Sequence, residues 1–171
     1  WHDFDPVQIE AELASIKSSL NINSIRIFTP SKGDFDSFII YHNWDPWYLT
    51  DGSINPLYLN RIKSLLTIAA KLGIRVQLEL VHNVNITDMD FTNQSFIHPG
   101  SIQEAFYLKY LDSLISQLKG DPTILSFEIG NEMLVYCPIN CSQTSWYEPQ
   151  VLSFIKRMVN RIRSLDVNHL I

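Results

Sequence analysis

The stretch Thr123-Ile-Leu-Ser-Phe-Glu-Ile-Gly-Asn-Glu132 is an apolar run that ends in a glycine, an amide and a carboxylic acid. A carboxyl group can give and take protons, and a neighbouring amide can bond the group being protonated, so Asn131 and Glu132 are a pair equipped for acid/base chemistry. The blander reading is that Glu132 caps the next segment or stands in solvent. Charged residues also alternate along two other short runs, and aromatic residues crowd one long stretch, so the pair has company.

The run itself is strand-length, rich in Ile, Leu and Phe, and follows the turn signal Gly120-Asp121-Pro122, which predicts a buried strand delivering Asn131 and Glu132 to its carboxyl end. That end of a strand is where α/β proteins place their chemistry. Upstream, Asp5-Pro6 followed by Ile9, Leu13, Ile16 and Leu20 predicts a helix with one apolar stripe. Ser24-Ile-Arg-Ile-Phe28 alternates as a strand. Residues 29–53, which carry Tyr41, His42, Trp44, Trp47 and Tyr48, are too long and too aromatic to be a mere connector.

Asn55-Pro56 then opens a helix through Leu59, Ile62, Leu66 and Ala69 that Gly73 closes. Ile74 to Val81 is the next strand, and residues 81–100 form a polar loop holding His82, Asn83 and His98. Ser101-Ile-Gln-Glu104 is a capping box for a helix through Phe106, Leu111, Leu114, Ile115 and Leu118. After the Glu132 strand and its loop, Glu148-Pro149 opens a last helix with Val151, Ile155, Met158, Ile162 and Leu165 inward. His169-Leu-Ile171 reads as the start of another strand.

Strict alternation of helix and strand builds a parallel sheet with helices outside it. Side-chain parity then separates an open sheet from a barrel. A sheet covered on both faces reads apolar throughout, and these strands do not. On one parity stand Ile25 and Ile27; Ile74, Val76, Leu78 and Leu80; and Leu125, Phe127 and Ile129. On the other stand Ser24 and Arg26; Arg75, Gln77 and Glu79; and Ser126, Glu128 and Glu132. A barrel with helices on its outer face and a polar, networked interior accommodates both sets. Charges inside a barrel cost several kcal/mol each unless paired. Arg26 is therefore expected to meet a carboxylate, Glu128 first, with Arg75, Gln77 and Glu79 in the same system; the plainer reading is a solvated face.

With 171 residues the chain is expected to form one domain over 1–171. Its net charge of −5 argues against nucleic acid or an anionic membrane as the main partner. No apolar run approaches the roughly 18 to 20 residues that cross a membrane, and nothing at the amino end resembles a signal peptide. The chain opens on Trp1 and stops as a strand begins, so both ends read as cut. Cys137 and Cys141 form a disulfide or stay as two thiols; a lone C-x3-C pair is poor equipment for zinc. Asn-x-Ser/Thr triplets at Asn85, Asn93 and Asn140 permit glycosylation of a secreted protein and carry little weight alone. No Gly-rich phosphate loop, Ser-His-Asp arrangement or metal-spaced histidine set occurs, so neither cofactor nor metal is expected.

Asp121-Pro-Thr-Ile-Leu-Ser-Phe-Glu-Ile-Gly-Asn-Glu132 resembles the fourth strand, ending in Asn-Glu, of the (β/α)8 barrels in the clan that includes glycoside hydrolase family 5, the cellulases and β-mannanases. Ser24-Ile-Arg-Ile-Phe28 resembles the clan's second strand, and Gly73-Ile-Arg-Val-Gln-Leu-Glu-Leu-Val-His-Asn83 its third. The resemblance spans essentially the whole chain. It implies a partial TIM barrel, strands two to four and the start of the fifth, with the remaining half of the barrel as its partner. It further implies Glu132 as general acid/base, Asn131 bonding the hydroxyl next to the anomeric carbon, and Arg26 supporting the nucleophile. His82 would line the same sugar site, its parity requiring a bulge or a break in the strand. Met133 stands where many members have proline, a departure that bears on the subfamily.

A retaining glycosidase needs two carboxyl groups about 5 to 5.5 Å apart, one exchanging protons and one attacking the anomeric carbon. By resemblance the second belongs to the seventh strand, beyond this chain, because a complete barrel takes about 250 residues. Trp44 and Trp47, with Tyr41 and Tyr48, stand in the loop after the first strand here, where pyranose C–H faces could stack on them; packing of the loop is the plainer role. Trp146 reads as structural. The substrate expected is β-1,4-mannan or β-1,4-glucan. Other classes considered are a non-catalytic carbohydrate-binding protein on a degenerate barrel, and a half-barrel that dimerises to complete itself.

Overall fold

The computed structural model describes residues 3–28, 49, 51–80, 99–130 and 147–171. In chain order these form α1 (Pro6–Leu20), β1 (Ser24–Ile27), α2 (Pro56–Lys71), β2 (Arg75–Glu79), α3 (Ile102–Leu118), β3 (Ile124–Glu128) and α4 (Tyr147–Leu165). The alternation is the expected one.

Local chemistry starts and stops the helices where the sequence signals it. The Asp5 side chain accepts from Val7 N at 2.9 Å and Gln8 N at 3.2 Å, with Pro6 in the first turn where no amide hydrogen is needed. Asn55 does the same for α2, accepting from Leu57 N at 2.9 Å. Ser101 Oγ accepts from Glu104 N at 2.9 Å. Glu104 departs from the standard capping box, reaching past Ser101 to Gly100 N while its other oxygen accepts from Arg157 Nε of α4 at 2.6 Å. One acidic side chain thus caps α3 and ties it to α4. Gly73, at φ 63°, turns the chain from α2 into β2 in the left-handed region that glycine enters most easily.

The three strands are parallel in the order β1-β2-β3. Ser126 also bridges Leu170 in parallel, and Phe127 N donates to Leu170 O at 2.9 Å, so where a further strand is expected the chain meets the edge of β3 through an isolated bridge. Ile25, Ile27, Val76, Leu78, Leu80, Phe127 and Ile129 join the apolar cluster beneath α2, α3 and α4.

Leu125 does not follow its expected parity. Val76 pairs with Ile124 and Gln77 with Ser126, so Leu125 is the extra residue of a β-bulge. Ile124 takes the buried position at 3 % exposure, and Leu125 is left 38 % exposed. Beyond the bulge the parity recovers, which keeps Ser126 and Glu128 on the polar face.

Leu111, Leu114 and Ile115 of α3, Ile62 and Ala69 of α2, and Phe154, Met158 and Ile162 of α4 are fully buried. Each large aliphatic among them contributes on the order of 1.5–3 kcal/mol by leaving water. The stripe of α1 behaves differently: Leu13 packs against the core, whereas Ile16 and Leu20 are 42 % and 71 % exposed. The helix lies at the edge of the fold and packs chiefly against α2, which covers only part of its circumference.

Candidate active site

Arg26 stands on the polar face of β1, in register with Gln77 of β2, which in turn faces Ser126 of β3. Two residue pairs further along, Glu79 and Glu128 are register partners at the carboxyl ends of their strands. Two carboxylates directly opposite each other repel unless a cation offsets them. Arg26 supplies it: Nε donates to Glu128 Oε2 at 2.6 Å and Nη2 donates to Oε1, a two-pronged ion pair. Gln77 Nε2 adds a third bond to Oε2 at 3.0 Å. The expected meeting of Arg26 and Glu128, with Gln77 in the same system, is therefore present.

The pair is neither sealed nor free in water, with side chains 34 % and 25 % exposed. Solvent screening holds its contribution to about 1 kcal/mol, between an exposed pair and a buried one. The ring of Phe28 lies under the guanidinium, 4.5 Å from its carbon. Sequence reading passed over Phe28, although it follows Arg26 by two residues and so shares its side of the strand.

One member of the expected system, Arg75, behaves otherwise. Arg75 is exposed and its side chain makes no hydrogen bond or ion pair among the described residues, because its register partner is Ser24, at the amino edge of the sheet. There it lines, with Asn23, Ser24, Gly73, Thr123 and Leu125, a depression of about 500 Å³ at the opposite end from Glu128. Glu79 is fully buried, and its charge acts on the phenols of Tyr107 and Tyr110 on α3. Burial first, then the charge of Tyr110 and Glu79, raises the Tyr107 phenol well above its ordinary value of 10.0; burial and Glu79 raise Tyr110 likewise. Both phenols thus stay neutral.

Below the polar network, Asp166 and His169 brace the sheet. His169 Nε2 lies 2.9 Å from Asp121 O, a carbonyl that can only accept, so that nitrogen carries hydrogen. Nδ1 faces Asp166 Oδ2 at 2.5 Å, and the ring meets Phe127 edge-on at 5.3 Å between centroids. Burial opposes charge on Asp166, but bonds from the His169 ring and from Asn168 N and His169 N outweigh it and hold the carboxyl below its ordinary 3.8. This brace joins the turn before β3 to the segment that follows α4. The only sequence signal for it is the spacing of three between Asp166 and His169.

Of the residues expected to do chemistry, Arg26 is described and networked as above. Asn131, Glu132, His82, Trp44 and Trp47 lie outside the described residues, as do Tyr41, Tyr48, Met133, Trp146, Cys137 and Cys141. The last described residue before the pair is Gly130, two beyond Glu128. Among the described residues no cluster of His, Cys, Asp and Glu could hold a metal ion, and no helix is long and apolar enough to cross a membrane.

A parallel sheet with helices on one side and a polar, ion-paired other side is the wall of a (β/α)8 barrel, here a part of one. The family model described as cellulase (glycosyl hydrolase family 5) matches residues 2–171, and the chain belongs to that family. Among solved structures it is similar to a GH5_18 protein of Streptomyces cattleya in complex with Manb1-4GlcNAc, at 17% identity and TM-score 0.70 over 98% of this chain and 39% of that one. It is similar also to the endo-1,4-beta-mannanase of Rhizomucor miehei, at 19% identity and TM-score 0.67 over 99% of this chain and 52% of that one. The beta-mannanase of the blue mussel Mytilus edulis aligns at 13% identity and TM-score 0.64, over 95% of this chain and 50% of that one. The chain thus spans about half or less of these proteins, and at such identities the likeness is one of fold. No curated protein sequence gives a significant match.

Proposed function

We propose that this chain supplies the second to fourth strands, and the start of the fifth, of a complete barrel that hydrolyses β-1,4-mannan or β-1,4-glucan with retention of configuration. Glu132 protonates the departing glycosidic oxygen and later activates water. Asn131 bonds the hydroxyl beside the anomeric carbon, and Arg26 supports a nucleophilic carboxylate carried by a later strand. His82 lines the sugar site, and Trp44 and Trp47 offer stacking faces to neighbouring sugar rings. Secretion goes with a polymeric substrate, and the triplets at Asn85, Asn93 and Asn140 are compatible with it.

The observation that carries this reading is the Arg26–Glu128–Gln77 network on the polar face of the sheet, in a chain of glycoside hydrolase family 5. An arginine fixed at the carboxyl ends of parallel strands is suited to a site where a second carboxylate must stay ionised. The mannanases among the similar folds make mannan the first polymer to try.

The test is hydrolysis by the full-length protein, with the product anomer followed by NMR. We expect the β-anomer to appear first and Glu132→Gln to lower kcat by about a hundred- to ten-thousandfold, the range of positioned general acid/base groups. An α-anomer released first, or an unaffected Glu132→Gln, refutes the assignment.

A further inference from the structure

Arg26 is held by two kinds of contact. Within the guanidinium plane, Glu128 takes Nε and Nη2 together, and Gln77 Nε2 holds the same carboxylate from the next strand at 3.0 Å. The guanidinium carbon also stands over the Phe28 ring, 4.5 Å from its centroid. A fork fixes where the plane points, and a stacked ring fixes its tilt. An arginine side chain otherwise samples many rotamers, so each such hold narrows where its charge can point.

We propose that Glu128 and Phe28 are positioning residues that preset the Arg26 guanidinium for the carboxylate it supports during hydrolysis. The inference rests on the glycosidase reading above. It adds that the negative charge of Glu128 is kept for orientation, although that charge opposes the electrostatic help Arg26 gives to another carboxylate. A residue retained only to balance charge would act oppositely when removed, which makes the two roles separable.

The separation is in the pH profile. Neutralising Glu128 without moving Arg26 strengthens the local positive field and shifts the acid limb of kcat/KM to lower pH. Releasing Arg26 from its grip weakens its hold on the second carboxylate and shifts that limb to higher pH. Phe28→Leu removes the stacked face with no change of charge, so it reads orientation alone.

The experiment compares full-length wild type with Glu128→Gln, Phe28→Leu and, as a control, Asp112→Asn. The control breaks a similar two-pronged pair, Asp112 with Arg161, between the outer helices α3 and α4. We expect Glu128→Gln and Phe28→Leu to lower kcat about ten- to hundredfold, the scale of an ångström of misplacement, with KM within about threefold. Their acid limbs move up by at least about half a pH unit, part of the one to three units an adjacent arginine is worth. Asp112→Asn loses stability and keeps both kcat and the limb. A downward limb in Glu128→Gln, or kcat within about twofold of wild type in both variants while Glu132→Gln is inactive, overturns the positioning role and leaves the glycosidase reading standing. Wild-type protein that hydrolyses neither polymer overturns both.

Discussion

Asp166 shows how one buried residue carries a pH dependence. Its folded-state proton affinity is depressed by the His169 ring and by two backbone N–H groups, against the pull of burial. A depressed carboxylate contributes its stability fully above the unfolded value near 3.8 and loses it as pH falls through the lower folded value. The advantage of the wild-type chain over Asp166→Asn, about 1–3 kcal/mol for a hydrogen-bonded buried carboxylate, is therefore expected at pH 5 and should shrink progressively below pH ~3.8. Urea midpoints measured at stepped pH check this; a difference that stays level into strong acid rules it out. The residue scale is also where sequence was least informative. Arg26 and Glu128 stood out because unpaired charges on a strand demand partners, whereas Phe28 and His169 are ordinary residue types whose roles depend on what lies across from them.

At the scale of elements, the caps at Asp5, Asn55 and Ser101 act over two or three residues and were legible for that reason. Strand parity was legible too, except at Leu125. Alternation predicts the face of a residue only while the ladder is regular, and the bulge between Val76 and Gln77 adds one residue to β3 alone. The consequence is measurable. Leu125→Ser should change stability by less than about 0.5 kcal/mol, since the side chain is already partly in water. Phe127→Ala, at a position 1 % exposed, should cost about 3–5 kcal/mol. Chemical denaturation of both variants decides it: if Leu125→Ser proves the costlier, the register is wrong.

At the scale of the whole molecule, the polar face of the sheet is only partly covered where it is described. Arg26 and Glu128 remain 34 % and 25 % exposed, and the exposed Ile16 and Leu20 of α1 are likewise without a complete cover. Two-carboxylate chemistry needs a water-excluding enclosure and a second acid about 5 Å from the first. The 171-residue chain by itself is therefore expected to release no reducing sugar from mannan or glucan. A reducing-end assay on the purified chain, with Glu132→Gln alongside, checks it; hydrolysis that the substitution abolishes would mean that the proposed site completes itself within this chain.

Sequence alone determined the order of helices and strands, their caps, the separation of an apolar from a polar strand face, and the pairing of Arg26 with Glu128. All of these follow from periodicity and from the cost of an unpaired charge, which are properties of short segments. Only the tertiary structure decided that Arg75 stays outside the network, that Glu79 is buried towards Tyr107 and Tyr110, that Leu125 leaves the core, and that His169 ties two distant turns together. Those outcomes depend on register between strands and on which surfaces meet, and residues 24 and 75, or 121 and 169, become neighbours only when the chain is folded.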